Sequence, residues 1–294
     1  MNPFELHIAA SLPDALDYLA RYGQETAVLA GGTDLVIRIR SGREIPARVL
    51  DISRLKELRV IREEGTDANP AALRLGALVT HAQVVESAAT RAHTPLLAEA
   101  CATIGSPQIR NLGTIGGNCI TASRAGDALP ALLAMDAELV FLSKAGERRV
   151  RMADFFTGPR TTARRRDELL GHIVVPARAA DERSCYLKLG QRKALAISVI
   201  SVAFQLKMDA AAPRRCLTAA IAFGNLAPTV IRARKVEEAV MGRDLDEATI
   251  AQAVEAAVGE VSPRDDVRAS AEYRLAMVRA LVRRGLERLG GAAS

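Results

Sequence analysis

Two short glycine-containing segments place the strongest constraint on how this chain folds. The first, residues 28–35, lies at the end of an apolar run, and the second, residues 112–118, lies near the middle of the chain; each contains a Gly-Gly pair. Glycine adopts a positive φ easily and lets the backbone approach a ligand, because it has no Cβ. Consecutive backbone N–H groups in such turns form a concave anion-binding surface. The two segments therefore predict either two tight turns or, if they converge, two walls that bind a diphosphate.

The composition is that of an ordinary globular protein. Of the 294 residues, 49% are hydrophobic and 25% are charged, which suits one large domain or two of ordinary size with a real core. No apolar run reaches the ~18 residues of a membrane span. The first residues lack the basic and apolar regions of an export signal. We therefore expect a cytoplasmic protein with no membrane span.

Charge and cysteine spacing argue against several classes of function. The net charge of +6 and the pI of about 9.4 raise nucleic acid as a partner. However, the basic residues form a run only at residues 160–166, and aromatic residues, at 3%, are too scarce for stacking platforms. We expect no nucleic-acid partner, and we interpret this run as a solvated loop that lies against another subunit or near an anionic ligand. Cys101, Cys119, Cys185 and Cys216 match no zinc or iron–sulfur spacing, which predicts reduced thiols and no metal site.

Local signals predict a β-α-β unit followed by a longer mixed region. Helix caps, glycine stops and apolar periodicity define the elements. In the first 55 residues they are a strand over 4–8, a helix from Ser11 to Gly23, a strand over 26–29, a helix over 34–40 and a strand over 48–52. Next come a hairpin (58–62 and 72–75), helices over 80–87 and 94–103, the second glycine segment as a loop, a helix over 128–135, a hairpin (137–142 and 148–151) and a strand over 169–175.

The pattern changes beyond a predicted linker at 176–183. Three β-rich segments predict an antiparallel meander, and three helices follow it. The strands are expected over 185–189, 198–208 and 216–223, and the helices over 231–241, 246–258 and 270–289, the last with Tyr273, Met277, Ala280, Leu281 and Leu289 on its apolar face. We predict an α+β protein with two domains: residues 1–176, with subdomains of about 1–55 and 56–176, and residues 183–290.

Several enzyme signatures are absent from the sequence. It contains neither the G-x-G-x-x-G of a Rossmann dinucleotide site nor the G-x-x-x-x-G-K-[ST] of a P-loop. It also lacks H-E-x-x-H, C-x-x-C and the G-x-S-x-G of a hydrolase, and its four histidines lie far apart. We therefore nominate no catalytic residue from motifs. The remaining candidate for a functional site is the pair of glycine segments, which could bind a diphosphate.

The two glycine segments resemble the paired FAD diphosphate-binding segments of the flavin subunits of molybdenum hydroxylases. This is the xanthine dehydrogenase, carbon monoxide dehydrogenase and 4-hydroxybenzoyl-CoA reductase family. Residues 122–130 are similar to the family's A-S-P-x-[SA]-D-x-x-P stretch, with Arg124 in place of the usual proline. The resemblance extends to residues 186–197, through Lys188, Arg192, Lys193 and Ile197, and to residues 224–228 and 232–233.

This resemblance implies a fold and a cofactor. The fold is a two-subdomain FAD-binding module of the PCMH/vanillyl-alcohol-oxidase type, followed by a C-terminal domain with an antiparallel three-stranded sheet and a helical bundle. An extended FAD would lie between the subdomains. The residues that the resemblance assigns to its diphosphate and flanks are Leu29, Ala30, Gly31, Gly32, Thr33, Asp34 and Leu35 on one side, and Thr114, Gly116, Gly117, Asn118, Ile120 and Thr121 on the other.

Three further residues are assigned in the same way, and each has a structural alternative. Asp127 matches an acid near the adenosine, but it could cap the helix that follows. Leu170 matches an apolar contact to the adenine, but it could belong to the core. Lys188 matches a cation near the flavin ring, where it would stabilise reduced flavin, but it could lie on a solvated face. Tyr186 could shield the flavin, although packing is the simpler interpretation.

The function that the resemblance implies is electron transfer. A large partner subunit would hold the molybdenum cofactor, and a small one would hold two [2Fe–2S] clusters. The flavin subunit would exchange electrons with an outside acceptor or donor, and NAD, oxygen, a quinone and ferredoxin all stay open. The extra [4Fe–4S] loop of the benzoyl-CoA reductase branch is absent from the sequence. The alternatives are a self-sufficient flavoenzyme of related fold and a flavin-less interaction protein.

Overall fold

The N-terminal residues form the predicted β-α-β unit. The computed structural model describes residues 3–66, 69–192 and 196–291. The first elements are β1 (Glu5–Ile8), α1 (Leu12–Tyr22), β2 (Thr26–Leu29), α2 (Leu35–Arg40) and β3 (Arg48–Asp51). Strands β1 and β2 both pair in parallel with β3. Helix α1 begins where Ser11 Oγ accepts a bond from the Asp14 N–H, and it ends at Gly23, as the sequence predicts.

The second sheet is antiparallel and has five strands. Residues 61–176 contain β4 (Ile61–Thr66), β5 (Asn69–Gly76), β6 (Glu138–Ser143), β7 (Gly146–Arg151), a small hairpin of β8 (Phe156–Gly158) and β9 (Thr161–Thr162), and β10 (Leu169–Pro176). The strand order is β4-β5-β10-β6-β7. The predicted hairpin starts later than expected because Lys56–Arg59 form a 3₁₀ turn. Residues 67–68 of its turn lie outside the described residues.

Seven helices lie between the strands of this sheet along the chain, and two of them replace a predicted loop. They are α3 (His81–Glu86), α4 (Ala88–His93), α5 (Pro95–Ala102), α6 (Pro107–Leu112), α7 (Ile115–Thr121), α8 (Ala128–Ala134) and α9 (Met152–Phe155). Thr80 and Gln83 form the predicted capping box at α3. The prediction of a loop over 105–118 was wrong. Ser106 and Thr114 each cap a short helix by accepting from the N–H three residues later, so the second Gly-Gly pair lies in the first turn of α7.

The C-terminal region is a meander covered by three helices. Its elements are β11 (Glu182–Leu189), β12 (Ile200–Met208), β13 (Arg215–Gly224), β14 (Ile231–Arg232), α10 (Arg234–Val240), β15 (Arg243–Asp244), α11 (Glu247–Val258) and α12 (Ala271–Gly290). The two-residue strands β14 and β15 both pair with β13 and extend the predicted three-stranded sheet. The helix predicted from residue 231 therefore begins at Arg234. None of the helices within the described ranges combines the length and apolar character needed to cross a membrane.

The apolar face of α12 is rotated relative to the prediction. Tyr273 is 46% exposed, whereas its neighbour Arg274 is fully buried. Arg274 points inward because its Nη2 donates a 2.6 Å bond to Asp266 and its Nη1 a 3.3 Å bond to the carbonyl of Asn225. An ion pair, which periodicity does not register, therefore places Arg274 on the buried face of the helix with Val278 and Leu281.

Helix α8 joins the second sheet to the C-terminal region. All seven of its residues are buried, and it packs on both β12 and β13. A helix that is apolar on every side must be covered on every side, and burying each of its leucines contributes on the order of 2 kcal/mol. Tyr186, Ala203, Ala222 and Val230 of the C-terminal region belong to the same hydrophobic cluster. The two regions therefore share a core.

Candidate functional site

The two glycine segments meet at the boundary between the first and second sheets. A Cβ on Gly31 would overlap the carbonyl oxygen of Leu112 and lie 3.3 Å from the Cα of Gly113. A Cβ on Gly116 would lie 2.6 Å from the carbonyl oxygen of Ala77. Both glycines are thus required by close backbone packing, with no positive φ at either. The contacts bring the segments to one cleft of about 440 Å³, within the usual range for a ligand site.

The first segment links the cleft to α2. Gly32 has a φ of +72°, which turns the chain from β2 toward the helix. Asp34 then bonds in two directions: its Oδ2 accepts from Thr121 Oγ1 of the second segment at 3.4 Å and lies 3.5 Å from Arg38. The bond from Thr121 therefore joins the two walls through side chains, and the Arg38 pair holds Asp34 on its own wall.

The second segment is a helix start with an unsatisfied amide. Thr114 Oγ1 accepts a 3.0 Å bond from the Gly117 N–H. The Oδ1 of Asn118 is buried and has no hydrogen-bond partner among the described residues. Leaving such an atom unpaired costs about 1–3 kcal/mol. Because Asn118 lines the cleft, a ligand donor can satisfy it.

Most of the residues assigned from sequence line the cleft. Those that do are Ala30, Gly31, Gly32, Thr33, Asp34, Leu35, Thr114, Gly116, Gly117, Asn118, Ile120, Thr121 and Leu170. Leu29 does not line it. Its backbone carbonyl accepts from Ile52, and so it supports the wall from behind. Asp127 and Lys188 also lie outside the lining. Lys193, which belongs to the resemblance, falls outside the described residues.

Asp127 and Lys188 form one buried cluster. Lys188 Nζ donates to Asp127 Oδ2 at 2.7 Å and to the carbonyl of Thr103 at 2.8 Å. The hydroxyls of Tyr186 and Ser198 both donate to Asp127 Oδ1. Burial raises the pKa of the Asp127 carboxyl, and the neighbouring ammonium and hydroxyls oppose that shift. Although Asp127 stands at the start of α8, its side chain makes no cap bond, and Lys188 is not on a solvated face.

This pairing conflicts with two sequence assignments when they are taken together. An extended FAD holds its adenosine and its flavin ring at opposite ends. Two side chains 2.7 Å apart cannot serve one end each. Asp127 near the adenosine and Lys188 near the flavin are therefore mutually incompatible.

Sequence reasoning missed His81 in the cleft. His81 is 3% exposed and lines the cleft, and its Nδ1 lies 3.6 Å from Cys101 Sγ. Burial, with a smaller contribution from Arg110, lowers the pKa of His81 to about 4. The ring is therefore neutral at pH 7. The Thr80–Gln83 capping box fixes the start of α3, where His81 is the first residue. This box was the sequence signal that could have drawn attention to His81.

The cleft also contains basic residues that motif analysis left unassigned. Arg38, Arg160, Arg164 and Arg166 line it together with the carboxylates of Asp34 and Glu44. The last three arginines come from the basic run that we interpreted as a loop near another subunit or an anionic ligand. The run does reach the cleft.

Two family models together match nearly the whole chain. The FAD binding domain in molybdopterin dehydrogenase matches residues 2–178, and the CO dehydrogenase flavoprotein C-terminal domain matches residues 185–289. The chain belongs to the FAD-binding (medium) subunit family of the molybdenum hydroxylases. It is thus a flavoprotein subunit of an oxidoreductase, with FAD as its cofactor, and the α+β fold inferred from the resemblance is confirmed.

Relatives of this family match over most of their length. The nicotinate dehydrogenase FAD-subunit of Eubacterium barkeri is 38% identical over 85% of this chain and 83% of its own. The xanthine dehydrogenase FAD-binding subunit of Escherichia coli O157:H7 is 33% identical over 98% and 96%. The solved carbon monoxide dehydrogenase from Hydrogenophaga pseudoflava, which lacks the Mo-pyranopterin moiety of the molybdenum cofactor, superposes with a TM-score of 0.91 at 32% identity, covering 98% of both chains.

The residues present in this family member fit FAD. Asn118, whose Oδ1 is buried without a partner, lines a cleft whose two walls meet where Gly31 tolerates no Cβ. Backbone approach of this kind suits a diphosphate. Leu170 and Ile120 supply apolar surface in the same cleft. Both the polar and the apolar requirements of a dinucleotide are met.

Proposed function

We propose that this chain is the electron-transfer subunit of a molybdenum-containing dehydrogenase complex. It would pass electrons between [2Fe–2S] clusters of a small partner subunit and an external acceptor, while a large partner subunit holds the molybdenum cofactor. The observation that carries the proposal is the convergence of the two glycine segments on one cleft with an unsatisfied Asn118 amide. The names of its relatives support the partners, because they include a molybdenum cofactor and a medium chain.

The cleft residues have separate tasks in this proposal. Residues 30–35 and 114–121 hold the diphosphate and its flanks through backbone N–H groups and short polar side chains. Leu170 contacts the adenine. FAD, when bound, supplies a carrier that can exchange electrons singly or in pairs. The protein holds it out of water and orients it.

The Asp127–Lys188 pair is proposed to lie behind the flavin end of the cleft. Gly126, next to Asp127, and Ile197, next to Ser198, both reach the lining. We therefore retain the sequence assignment of Lys188 near the flavin and replace that of Asp127 near the adenosine.

We further propose the domain organisation expected from sequence. Residues 1–176 form the FAD-binding domain, with subdomains of about 1–55 and 56–176, and residues 183–290 form the C-terminal domain. The cytoplasmic location also stays a prediction. Among the described residues no group of three or more His, Cys, Asp or Glu side chains could hold a metal ion.

The experiment combines co-purification with electron transfer. The tagged chain is isolated from cells that express it with its neighbouring genes, and the masses and metals of the bound subunits are measured. The flavin-loaded chain is then mixed without oxygen with the chemically reduced [2Fe–2S] subunit, and loss of flavin absorbance is followed. Bleaching supports the proposal. A chain that oxidises a substrate without partners, or that binds partners but no flavin, contradicts it.

A further inference from the structure

The basic segment 160–166 is held in a fixed conformation by a buried carboxylate. Glu168, whose side chain is 4% exposed, accepts two 2.6 Å bonds from the Arg148 guanidinium and a 2.8 Å bond from the Arg165 N–H. Burial opposes ionisation, but these bonds lower the pKa of Glu168. A two-pronged arginine–carboxylate pair is both strong and geometrically specific. The segment is therefore a built part of the fold and is not a loose loop.

The same segment touches both sides of the cleft. The carbonyl of Arg166 lies so close to Gly23, at the end of α1, that a Cβ on Gly23 would overlap it. At its other side, the carbonyl of Ala163 accepts a 2.9 Å bond from Arg148 on β7. The segment thus runs from the second sheet to the first subdomain, and its arginines enter the cleft between them.

The three cleft arginines of this segment have no carboxylate partner. Arg160, Arg164 and Arg166 form no ion pair with any acid in the described parts of the chain. Arg164 is half-buried, and its Nη1 donates to the carbonyl of Glu168 at 2.8 Å. Burial, and then the charge of Arg166, lower the pKa of Arg164, and the more distant charges of Glu168 and Asp167 oppose that shift only in part. A partly desolvated guanidinium that forms no ion pair is unfavourable, so an anion in the cleft stabilises it.

The net charge of the cleft lining matches the charge of a diphosphate. Arg38 lies 3.5 Å from Asp34 and 3.0 Å from Glu44, and these are the two carboxylates of the lining. His81 is neutral. The four arginines therefore exceed the acids by two positive charges. A diphosphate carries two negative charges, which leaves no excess for a second anionic ligand.

We propose that Arg160, Arg164 and Arg166 form a cationic wall that binds the diphosphate of FAD, in addition to the backbone of the two glycine segments. This inference rests on the proposed function, because it takes the cleft as the FAD site. It adds fixed cationic side chains to the two glycine segments, which the sequence analysis predicts as the walls of a diphosphate site. The affinity for FAD then depends on ionic strength.

The test measures FAD binding to the apoprotein by the change in flavin fluorescence, at roughly 0.05 and 0.5 M salt. The variants are Arg160→Gln, Arg164→Gln and Arg164→Lys. The matched control is Arg165→Gln, because Arg165 is exposed, belongs to the same segment and does not line the cleft. Thermal melts of each apoprotein report on folding. Arg160 is also exposed, so its variant tests the wall even if the Arg164 variants are unstable.

The wall predicts a distinct pattern of affinities. At low salt, Arg160→Gln and Arg164→Gln should each weaken FAD binding by about tenfold or more, as expected for a charged hydrogen bond. Both should also reduce the salt dependence, whereas Arg165→Gln should do neither and Arg164→Lys should recover most of the loss. A salt-independent wild type, or glutamine variants within about twofold of the Arg165 control, would overturn the inference but leave the proposed function standing. A wild type that binds no FAD contradicts both.

Discussion

Gly31→Ala should separate the packing of the two glycine segments from their chemistry. The change adds one methyl group where the structure has no room: the new Cβ would lie 2.7 Å from the carbonyl carbon of Leu112 and overlap its oxygen, whereas real Cβ atoms essentially never come within 3.0 Å. The obstructing atoms are backbone, so no side-chain rotation relieves the clash. Gly31 does not have a positive φ, and the effect is therefore steric alone.

The expected loss of FAD affinity depends on whether the strain can be relieved in the apoprotein. Overpacking of this kind costs about 1–3 kcal/mol. In the apoprotein we expect the first subdomain to shift away from Leu112, because no cofactor holds the two walls of the cleft together. FAD must bring the two walls back together, so the strain is expressed in binding. We expect FAD affinity to fall by roughly 5- to 150-fold, with a smaller fall in the melting temperature of the apoprotein.

The assay is a fluorescence titration of the apoprotein with FAD, followed by thermal melts with and without saturating cofactor. Gly259→Ala is the matched control, because its nearest neighbour would be 3.7 Å away and its φ is −74°. That variant should bind FAD like the wild type and be slightly more stable. An unchanged FAD affinity in Gly31→Ala would refute the reasoning, because it would show that the contact between Gly31 and Leu112 does not set the width of the FAD site.

Three further predictions test other parts of the site and fold. Asn118→Leu should weaken FAD binding by about tenfold without lowering the melting temperature, because Asn118 Oδ1 bonds to no described residue; a large loss of stability would contradict this. His81 has a folded pKa of about 4 and an unfolded value of 6.5, so the unfolded chain binds the proton first. The stability that neutral His81 contributes is complete above about pH 6.5 and is lost as pH falls toward 4, by on the order of 3 kcal/mol. In His81→Gln the free energy of unfolding, measured with urea, should therefore depend less on pH over that range. A pH dependence equal to that of the wild type would count against this prediction. Asp266→Asn leaves the buried Arg274 uncompensated and should cost about 3–5 kcal/mol in urea unfolding. Asp181→Asn, which breaks only the exposed pair with Lys207, should cost less than about 1 kcal/mol, and equal losses in the two variants would refute the distinction.

Most helices and strands could be predicted from local sequence signals, because the contacts that start and end them are local. The Ser11 cap, the Thr80–Gln83 capping box and the stop at Gly23 each involve residues within a few positions of one another. The same logic should have found α6 and α7, since Ser106-Pro107 and Thr114 are helix-start signals. For α7 it failed because a Gly-Gly pair disfavours a helix interior, a reason that does not apply to α6, which contains no glycine. Gly116 and Gly117 lie in the first turn of α7, where a cap and close packing compensate.

The part of the site that sequence could not predict depends on long-range pairs. Lys188 and Asp127 are paired across 61 positions, and Arg274 reaches the carbonyl of Asn225 across 49. No periodicity or motif encodes which acid a given base meets after folding. The resemblance assigned Asp127 and Lys188, but their mutual contact required coordinates, and the proposal that Asp127 lies at the flavin end rests on this contact.

The shared core bears on how the cofactor is held. The two family models meet between residues 178 and 185, yet α8 lies between the two regions with every residue buried. The residue at its start, Asp127, takes its ammonium and hydroxyl partners entirely from the C-terminal region. Without that region, α8 would expose an apolar face and Asp127 would lose Lys188. The C-terminal region therefore supports the cleft from behind, next to Gly126 of its lining, and we expect a chain cut at the boundary between the family models to lose the shape of the cleft.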